Sequence, residues 1–486
     1  MTASLPPVDS VTGGVAGLAA SYAAVRALAD RYDDAGDRLR DWAVDDGRVL
    51  AEPDLLESAV LSPVTFAEAE ARVLAAAGGM HGAAEASIAY EADALVVRAT
   101  VTAFEACDRL VATSFAGLDH TMGFGVGVTL AASVPSLLAL GLLARPPLSL
   151  AWHHLPADVR RRLDGVAAST GVVAQEWVDG HPEATQHVVD GSGGLLDGLL
   201  AGAPYLPALL GLAPFHATAA DAAADLAGLY AAEGRPHVRR RPDLVVRLGS
   251  LPPADLAGLI RHLAETSDLS PADRPRDQGT IEVQTLHAAD GTVRHIVYLP
   301  GTDDLATTPV DEDSDVRDLP ADLHLIAGQD TTYAHGIEQA MTDAGIASDD
   351  PVLLVGHSQG GMAAATLLAH GSGFHVTHVV TAGAPVAGVH GFPSGSHVLS
   401  LENRGDVVPL LDGRDNADSV AQVTVRFDDH QTSVAGNHDL AHYVRGATAL
   451  DASTDPSVRE QVASLHAEGF LGGLGTASSQ VLQITR

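Results

Sequence analysis

The stretch VLLVGHSQGGMAAA, residues 352–365, decides the fold. Its first four residues are apolar, as in a buried strand, and the alanines that follow Gly361 favour a helix. Gly356 and Gly360 remove Cβ atoms where the strand and the helix crowd together, so Ser358 can occupy a strained turn. We therefore predict a strand that turns directly into a helix, with the hydroxyl of Ser358 exposed at the turn.

A serine in this position has the surroundings of a nucleophile. The first amides of a helix lack intrahelical partners, and the amide of Gln359 can donate to a developing oxyanion. A bare Gly-x-Ser-x-Gly match occurs by chance in a chain with 49 glycines, so the flanking strand and helix give it its weight. Because serine alone is a weak nucleophile, we expect an orienting carboxylate and then a histidine base later in the chain.

Strands and helices alternate on both sides of this stretch. Further strands are predicted at residues 281–286, 293–299, 376–381, 397–401 and 423–427, and helices at residues 333–344 and 361–370. This alternation predicts an α/β domain over residues 278–486 with a doubly wound, mostly parallel sheet. An acidic stretch between Asp303 and Asp330 fits a lid over the site as well as a solvated loop.

The candidate acid follows the strand at residues 397–401. Asp406 comes soonest after this strand, and catalytic groups of such sheets gather at the carboxyl ends of the strands. Asp412 and Asp415 are ordinary loop carboxylates nearby. We therefore expect Asp406 to be the acid.

Two histidines one helical turn apart, His438 and His442, are candidates for the base. A His-x-x-x-His pair can also hold zinc, but the glutamate of the zinc-protease motif is missing between them. Two surface histidines at a helix end are the third interpretation. Their position after Asp406 favours a catalytic base.

Residues 280–446 resemble the lipase class 3 group of α/β-hydrolases. Five motifs in order carry the resemblance: Gly301-Thr302 after a strand, the Gly-His-Ser-x-Gly-Gly run at 356–361, Thr-x-Gly-x-Pro at 381–385, Asn-x-x-Asp-x-Val-Pro at 403–409, and His438 five residues before Tyr443. The combination is far more specific than any one motif.

The resemblance implies an α/β-hydrolase fold and ester hydrolysis through an acyl-enzyme, with no metal or organic cofactor. Ser358 would be the nucleophile, Asp406 the orienting acid and His438 the base. Thr302 and Gln359 would donate the two oxyanion amides, and the spacing to Tyr443 selects His438 over His442. The group's Phe-Arg-Gly-Thr reads Leu-Pro-Gly-Thr at residues 299–302, so the arginine is missing and the substrate class is left open.

The N-terminal half has a helical pattern. The pattern predicts a helical hairpin over residues 1–118 and an apolar helical region over residues 119–234. Residues 235–277 are predicted to be a linker with one short helix near residues 254–266. The hairpin faintly resembles the helical-hairpin substrates of type VII secretion, with Trp42 in the turn but Val44 where that family has glycine. The uncharged run 121–144 and the apolar run 198–215 are consistent with a buried helix pair or with membrane contact.

Composition limits the partners. A net charge of −34 makes binding to nucleic acid improbable. The resemblance to α/β-hydrolases implies a small-molecule or lipid ester as substrate. Residues 1–10 lack the features of a Sec signal peptide, so the cytoplasm is the default location, with non-Sec secretion or membrane association as alternatives. A rival hypothesis is a secretion or interaction protein whose helical half binds a helical partner and whose hydrolase domain is degenerate.

Overall fold

The computed structural model describes residues 5–133, 187–201, 207, 211–231, 234–271, 274–288, 291–305, 307, 312–429, 434–473 and 475–486. The chain divides into two compact units. Residues 18–114 form a helical unit, and residues 1–17 together with 115–486 form a larger unit. The candidate catalytic residues all belong to the larger unit.

A nine-stranded mixed sheet runs through the larger unit in the order β1-β8-β7-β6-β5-β4-β3-β9-β2. Its strands are β1 (Val8–Gly13), β2 (His237–Arg240), β3 (Thr280–His287), β4 (Val293–Leu299), β5 (Pro351–His357), β6 (His375–Ala382), β7 (His397–Asn403), β8 (Gln422–Phe427) and β9 (Thr476–Thr485). Strands β4 to β8 are parallel to one another and lie in chain order. The remaining pairings are antiparallel.

Helices cover both faces of this sheet. Across the described residues of both units, the helices are α1 (Leu18–Val49), α2 (Pro53–Leu61), α3 (Pro63–Gly78), α4 (Ala83–Ser133), α5 (Ser192–Ala201), α6 (Ala219–Ala227), α7 (Leu256–Ser267), α8 (Leu319–Ile326), α9 (Thr332–Ala344), α10 (Gln359–His370), α11 (Val434–Asn437), α12 (Leu440–Asp451) and α13 (Pro456–Ala467). Those that cover the sheet belong to the larger unit. Helices α9 and α10 pack on one face, and α7, α12 and α13 pack on the other. The central parallel strands are buried on both sides, which explains their continuous apolar runs.

The predicted α/β class is confirmed, with a mostly parallel centre to the sheet. The parallel strands follow one another in chain order, so their connections advance across the sheet in one direction. The face opposite α9 and α10 is covered by α7, which precedes β3, and by α12 and α13, which follow β8. The sheet is therefore covered by helices on both faces without a reversal of order among its parallel strands.

Two segments outside the predicted domain also belong to the sheet. Residues 8–13, placed by the sequence in a helical region, form β1, which pairs with β8. Residues 235–277, expected to be a linker with one short helix, contain β2, which pairs with β9. The expected helix is present as α7, and its apolar face is buried in the core. Short edge strands far from their partners in sequence lack the long periodic pattern that made the central strands visible.

In the helical unit, α1 and α4 are antiparallel. Tyr22 donates to Asp108 at 2.9 Å and Arg26 pairs with Glu105 at 2.7 Å, while Arg98 pairs with Asp30 at 2.7 Å. Trp42 is exposed, as are the large apolar side chains of Val60, Leu61, Val64, Ile88 and Leu95. Polar bonds between long exposed side chains contribute little stability, so packing must supply most of it.

The C-terminal part of α4 packs against α5 through glycines. A Cβ added to Gly127 would lie 2.3 Å from the carbonyl oxygen of Leu195, and one added to Gly194 would lie 2.0 Å from that of His120. The backbones therefore approach too closely for any side chain at these positions. This contact gives a structural reason for Gly123 and Gly127 in the uncharged run 121–144.

Among the residues that the structure describes, none of the helices combines the length and apolar character needed to cross a membrane. Residues 134–144 of the first apolar run, and residues 202–206 and 208–210 of the second, lie outside the described residues.

We predict that Gly194→Ala lowers the free energy of unfolding by about 1–3 kcal/mol, because its methyl group would overlap backbone atoms of α4. Gly125→Ala is the matched control on α4, since nothing lies within 4 Å of its added Cβ. It should raise stability by roughly 0.5–1 kcal/mol through the lower flexibility of the unfolded chain. Urea unfolding followed by circular dichroism measures both, and equal effects of the two substitutions would contradict the proposed helix contact.

Candidate active site

Ser358 lies at the turn between β5 and α10. Its backbone has φ 52° and ψ −122°, and it is the one non-glycine residue with positive φ among those the structure describes. Its amide donates to the carbonyl of Ala382 at the end of β6, at 3.0 Å. The structure thus has the predicted strand, turn and helix, and the turn holds Ser358 at the carboxyl edge of the parallel strands.

Glycines make this turn sterically feasible. A Cβ on Gly356 would lie 2.3 Å from the carbonyl oxygen of Gly360, and a Cβ on Gly360 would lie 2.0 Å from that of Leu299. A Cβ on Gly361 would meet the Cβ of Ala384 at 2.5 Å. Since real Cβ atoms do not approach other atoms this closely, each of the three positions requires glycine.

The Gly301-Thr302 turn after β4 lies beside the nucleophile. A Cβ added to Gly301 would be 2.9 Å from the Cβ of Ser358. Thr302 and Ser358 line the same cavity, and Gln359 begins α10 directly after the serine. The amides of Thr302 and Gln359 therefore belong to the two segments that flank Ser358.

An arginine that the sequence analysis did not identify supports this turn. Arg317 is completely buried, donates to the carbonyl oxygen of Gly301 at 2.8 Å and pairs with Asp303 at 2.6 Å. The arginine missing before Gly301 in the sequence motif is therefore matched by one that reaches the turn from residue 317. Its distance along the chain explains why the motif alone did not reveal it.

Asp322 of α8 holds the side chain of Thr302. The hydroxyl of Thr302 donates to Oδ2 of Asp322 at 2.8 Å. Burial raises the pKa of Asp322 from 3.8 to about 8, opposed by the hydrogen bond from Thr302 and reinforced by the charges of Asp318 and Asp315. The carboxyl group is therefore mostly neutral at pH 7, so it places no full negative charge beside the two amides.

Asp406 and His438 are hydrogen-bonded partners. Nδ1 of His438 lies 2.6 Å from Oδ2 of Asp406. The same oxygen accepts from the hydroxyl of Tyr443 at 2.6 Å, and Oδ1 accepts from the amide of Val408 at 2.9 Å. Burial, followed by the charge of Asp406, raises the pKa of Tyr443 well above 10, so its hydroxyl remains a donor. Asp406 is thus buried and fixed by three donors, with its partner His438 lining the cavity beside Ser358.

His442 has a different partner. Its Nδ1 bonds to Oδ2 of Asp429, whose Oδ1 pairs with Arg445 at 2.9 Å. The two histidines of the His-x-x-x-His pattern therefore contact separate carboxylates. No three histidine, cysteine or acidic side chains are grouped to hold a metal ion in the part of the chain that the structure describes.

His357, the residue before the nucleophile, contacts His438 directly. Its Nε2 lies 3.0 Å from the carbonyl oxygen of His438, and the two ring centroids are 4.4 Å apart. Burial, followed by the charge of His438, lowers the pKa of His357 well below 6.5. The ring is therefore neutral, and its Nε2–H donates to the segment that carries the candidate base.

A cavity of about 760 Å³ opens above these groups. Gly301, Thr302, His357, Ser358 and His438 form its polar end, and its remaining walls are largely apolar. Leu319, Leu323 and Ile326 of α8 are part of these walls, so the acidic stretch that we interpreted as a lid or a loop contributes a helix to the cavity. Residues 308–311 of that stretch lie outside the described residues.

Comparison of the chain with protein-family models, curated proteins and solved structures finds no match. The assignment of a function therefore depends on the geometry of the site and on the sequence motifs.

We predict that Asp322→Asn stabilises the protein relative to wild type, and that the gain grows as the pH rises from about 4 to about 8. A raised pKa means that the folded state favours the protonated carboxyl, so wild type loses stability over this range, whereas asparagine does not titrate. Melting temperatures at pH 5 and pH 9 measure the difference. A gain that is equal at both values would contradict the raised pKa.

Proposed function

We propose that this chain is a serine hydrolase that cleaves carboxylic esters through an acyl-enzyme, on an α/β-hydrolase type of fold. Ser358 is the nucleophile, His438 the base and Asp406 the orienting acid. The observation that carries the proposal is the 2.6 Å bond between His438 Nδ1 and Asp406, with the imidazole and Ser358 lining one cavity. The strained serine turn and the motif order support it independently.

The acid fixes the tautomer of the base. Because Asp406 accepts from Nδ1–H of His438, the other ring nitrogen, Nε2, carries a lone pair that can accept the proton of Ser358. The hydroxyl of Tyr443 and the amide of Val408 hold Asp406 in place. His438 then stores the proton as imidazolium, which the carboxylate stabilises.

Attack by Ser358 Oγ on the ester carbonyl carbon forms a tetrahedral intermediate. Its oxyanion accepts hydrogen bonds from the amides of Thr302 and Gln359. His438 gives the proton to the leaving alcohol as the carbon–oxygen bond breaks, and an acyl-enzyme remains. Water, deprotonated by His438, attacks this ester and releases the acid and Ser358.

A fluorophosphonate probe tests the nucleophile. We expect stoichiometric labelling of the full-length wild-type chain and loss of labelling in Ser358→Ala, because the probe reacts only with an activated serine. Peptide mapping of the labelled protein should place the adduct on Ser358. A folded wild-type chain that is not labelled would contradict the proposal and favour the rival hypothesis, in which the hydrolase domain is degenerate.

The choice of base makes a second prediction. His438→Ala should lower kcat/KM for p-nitrophenyl esters at least about a thousandfold, because Ser358 loses its proton acceptor. His442→Ala should retain activity close to wild type, since His442 is bonded to Asp429 instead. Circular dichroism verifies the fold of both variants, and the reverse pattern of activities would reassign the base.

A further inference from the structure

Helices α5 and α6 lie outside the segment that carries the catalytic motifs, yet both line the catalytic cavity. From α5 the lining residues are Ser192, Leu195, Leu196 and Leu199, and from α6 they are Ala219, Ala222, Ala223 and Leu226. Both sets follow the spacing i, i+3, i+4, i+7, which is one face of a helix. Each helix therefore presents one continuous stripe to the cavity, with leucines on α5 and mainly alanines on α6.

The position of α6 indicates which part of an ester substrate this helix would contact. Helix α6 packs against α8, whose Asp322 bonds to Thr302 of the oxyanion turn. The leaving alcohol must lie next to His438, which protonates it. A wall reached from the Thr302 side therefore contacts the acyl part of an ester.

The charges on the cavity wall favour an uncharged acyl group. None of the described residues that line the cavity is an arginine, and the chain contains no lysine. The acidic residues of the lining are Asp268, Asp303, which is paired with the buried Arg317, and Asp322, whose pKa burial raises to about 8. An acyl group with its own carboxylate or phosphate would therefore meet acidic side chains and no arginine among the described lining residues, whereas an alkyl chain would bury apolar surface.

A buried histidine ties the two helices together. Nδ1 of His216 lies 2.6 Å from Asp197 of α5, and its Nε2 lies 2.9 Å from Asp225 of α6. His216 is 1% exposed and Asp197 is buried, so the bond between them is shielded from water and strengthened by the low local dielectric, whereas the side chain of Asp225 is 28% exposed. The two bonds of His216 therefore fix the distance between α5 and α6.

We propose that the paired helices α5 and α6 form the acyl-binding wall of the site and set the length of the uncharged alkyl acyl chain that it accepts. This inference rests on the proposed ester hydrolysis at Ser358. The small side chains of Ala222 and Ala223 leave the space that the chain occupies, so enlarging one of them shortens the site.

The test compares p-nitrophenyl esters from acetate to decanoate on the full-length chain. Ala223→Phe should reduce kcat/KM for the decanoate at least about tenfold more than for the acetate, chiefly through KM. The matched control is Ala224→Phe, one residue on along α6 and outside the cavity lining, which should leave the chain-length profile unchanged. Leu199→Ala enlarges the wall instead and should shift the preference toward longer chains.

Two results would overturn the proposal. One is an equal loss of kcat/KM for all acyl chain lengths in Ala223→Phe. The other is a substitution that changes the preference among acetate esters of different alcohols but not the preference among p-nitrophenyl esters of different acyl chains. Fluorophosphonate labelling separates this failure from failure of the proposed function. If wild type is labelled at Ser358 but neither wall variant alters the profile, the acyl-wall assignment is wrong and the serine hydrolase remains. If wild type is not labelled, the ester hydrolysis itself is wrong.

Discussion

The strained backbone of Ser358 is the constraint on which the rest of the site depends. A positive φ at a residue with a Cβ costs of order 1–3 kcal/mol, and it persists only where the surroundings hold it. Here the amide of Ser358 is bonded to the end of β6, and glycines at 356, 360 and 361 let β5 and α10 meet around it. Gly301 brings the neighbouring turn to the same point. The carboxyl ends of β4, β5 and β6 therefore meet at Ser358.

Buried polar contacts then fix the groups around that side chain. Asp406 is held by His438, Tyr443 and Val408, and the turn at Gly301 is held by Arg317 from within the protein. These contacts lie in the protein interior, where the low local dielectric makes a hydrogen bond stronger than at the surface. The neutral state of His357 and the raised pKa of Asp322 keep extra charge away from the reacting centre.

The sequence predicted those parts of the molecule that depend on residues close together in the chain. The residues at 352–365 predicted the strand, turn and helix. The order of the motifs indicated Asp406 and His438, which are hydrogen-bonded in the structure. The edge strands β1 and β2 were missed because their partners, β8 and β9, are hundreds of residues away along the chain. The contacts of Arg317 and Asp322, and the position of helices α5 and α6 beside the cavity, were missed for the same reason, since only the folded chain creates them. The spacing of His438 and Tyr443 is visible in the sequence, but only the folded structure shows that Tyr443 donates to Asp406.

A crystal structure of the adduct formed with a phosphonate ester tests the central claim most directly, because the adduct resembles the tetrahedral intermediate. We expect phosphorus bonded to Oγ of Ser358, its phosphoryl oxygen about 2.7–3.1 Å from the amide nitrogens of Thr302 and Gln359. His438 Nε2 should lie within hydrogen-bond distance of Ser358 Oγ or of the leaving-group oxygen. A phosphoryl oxygen directed away from both amides, or an imidazole of residue 438 remote from the phosphorus, would contradict the account.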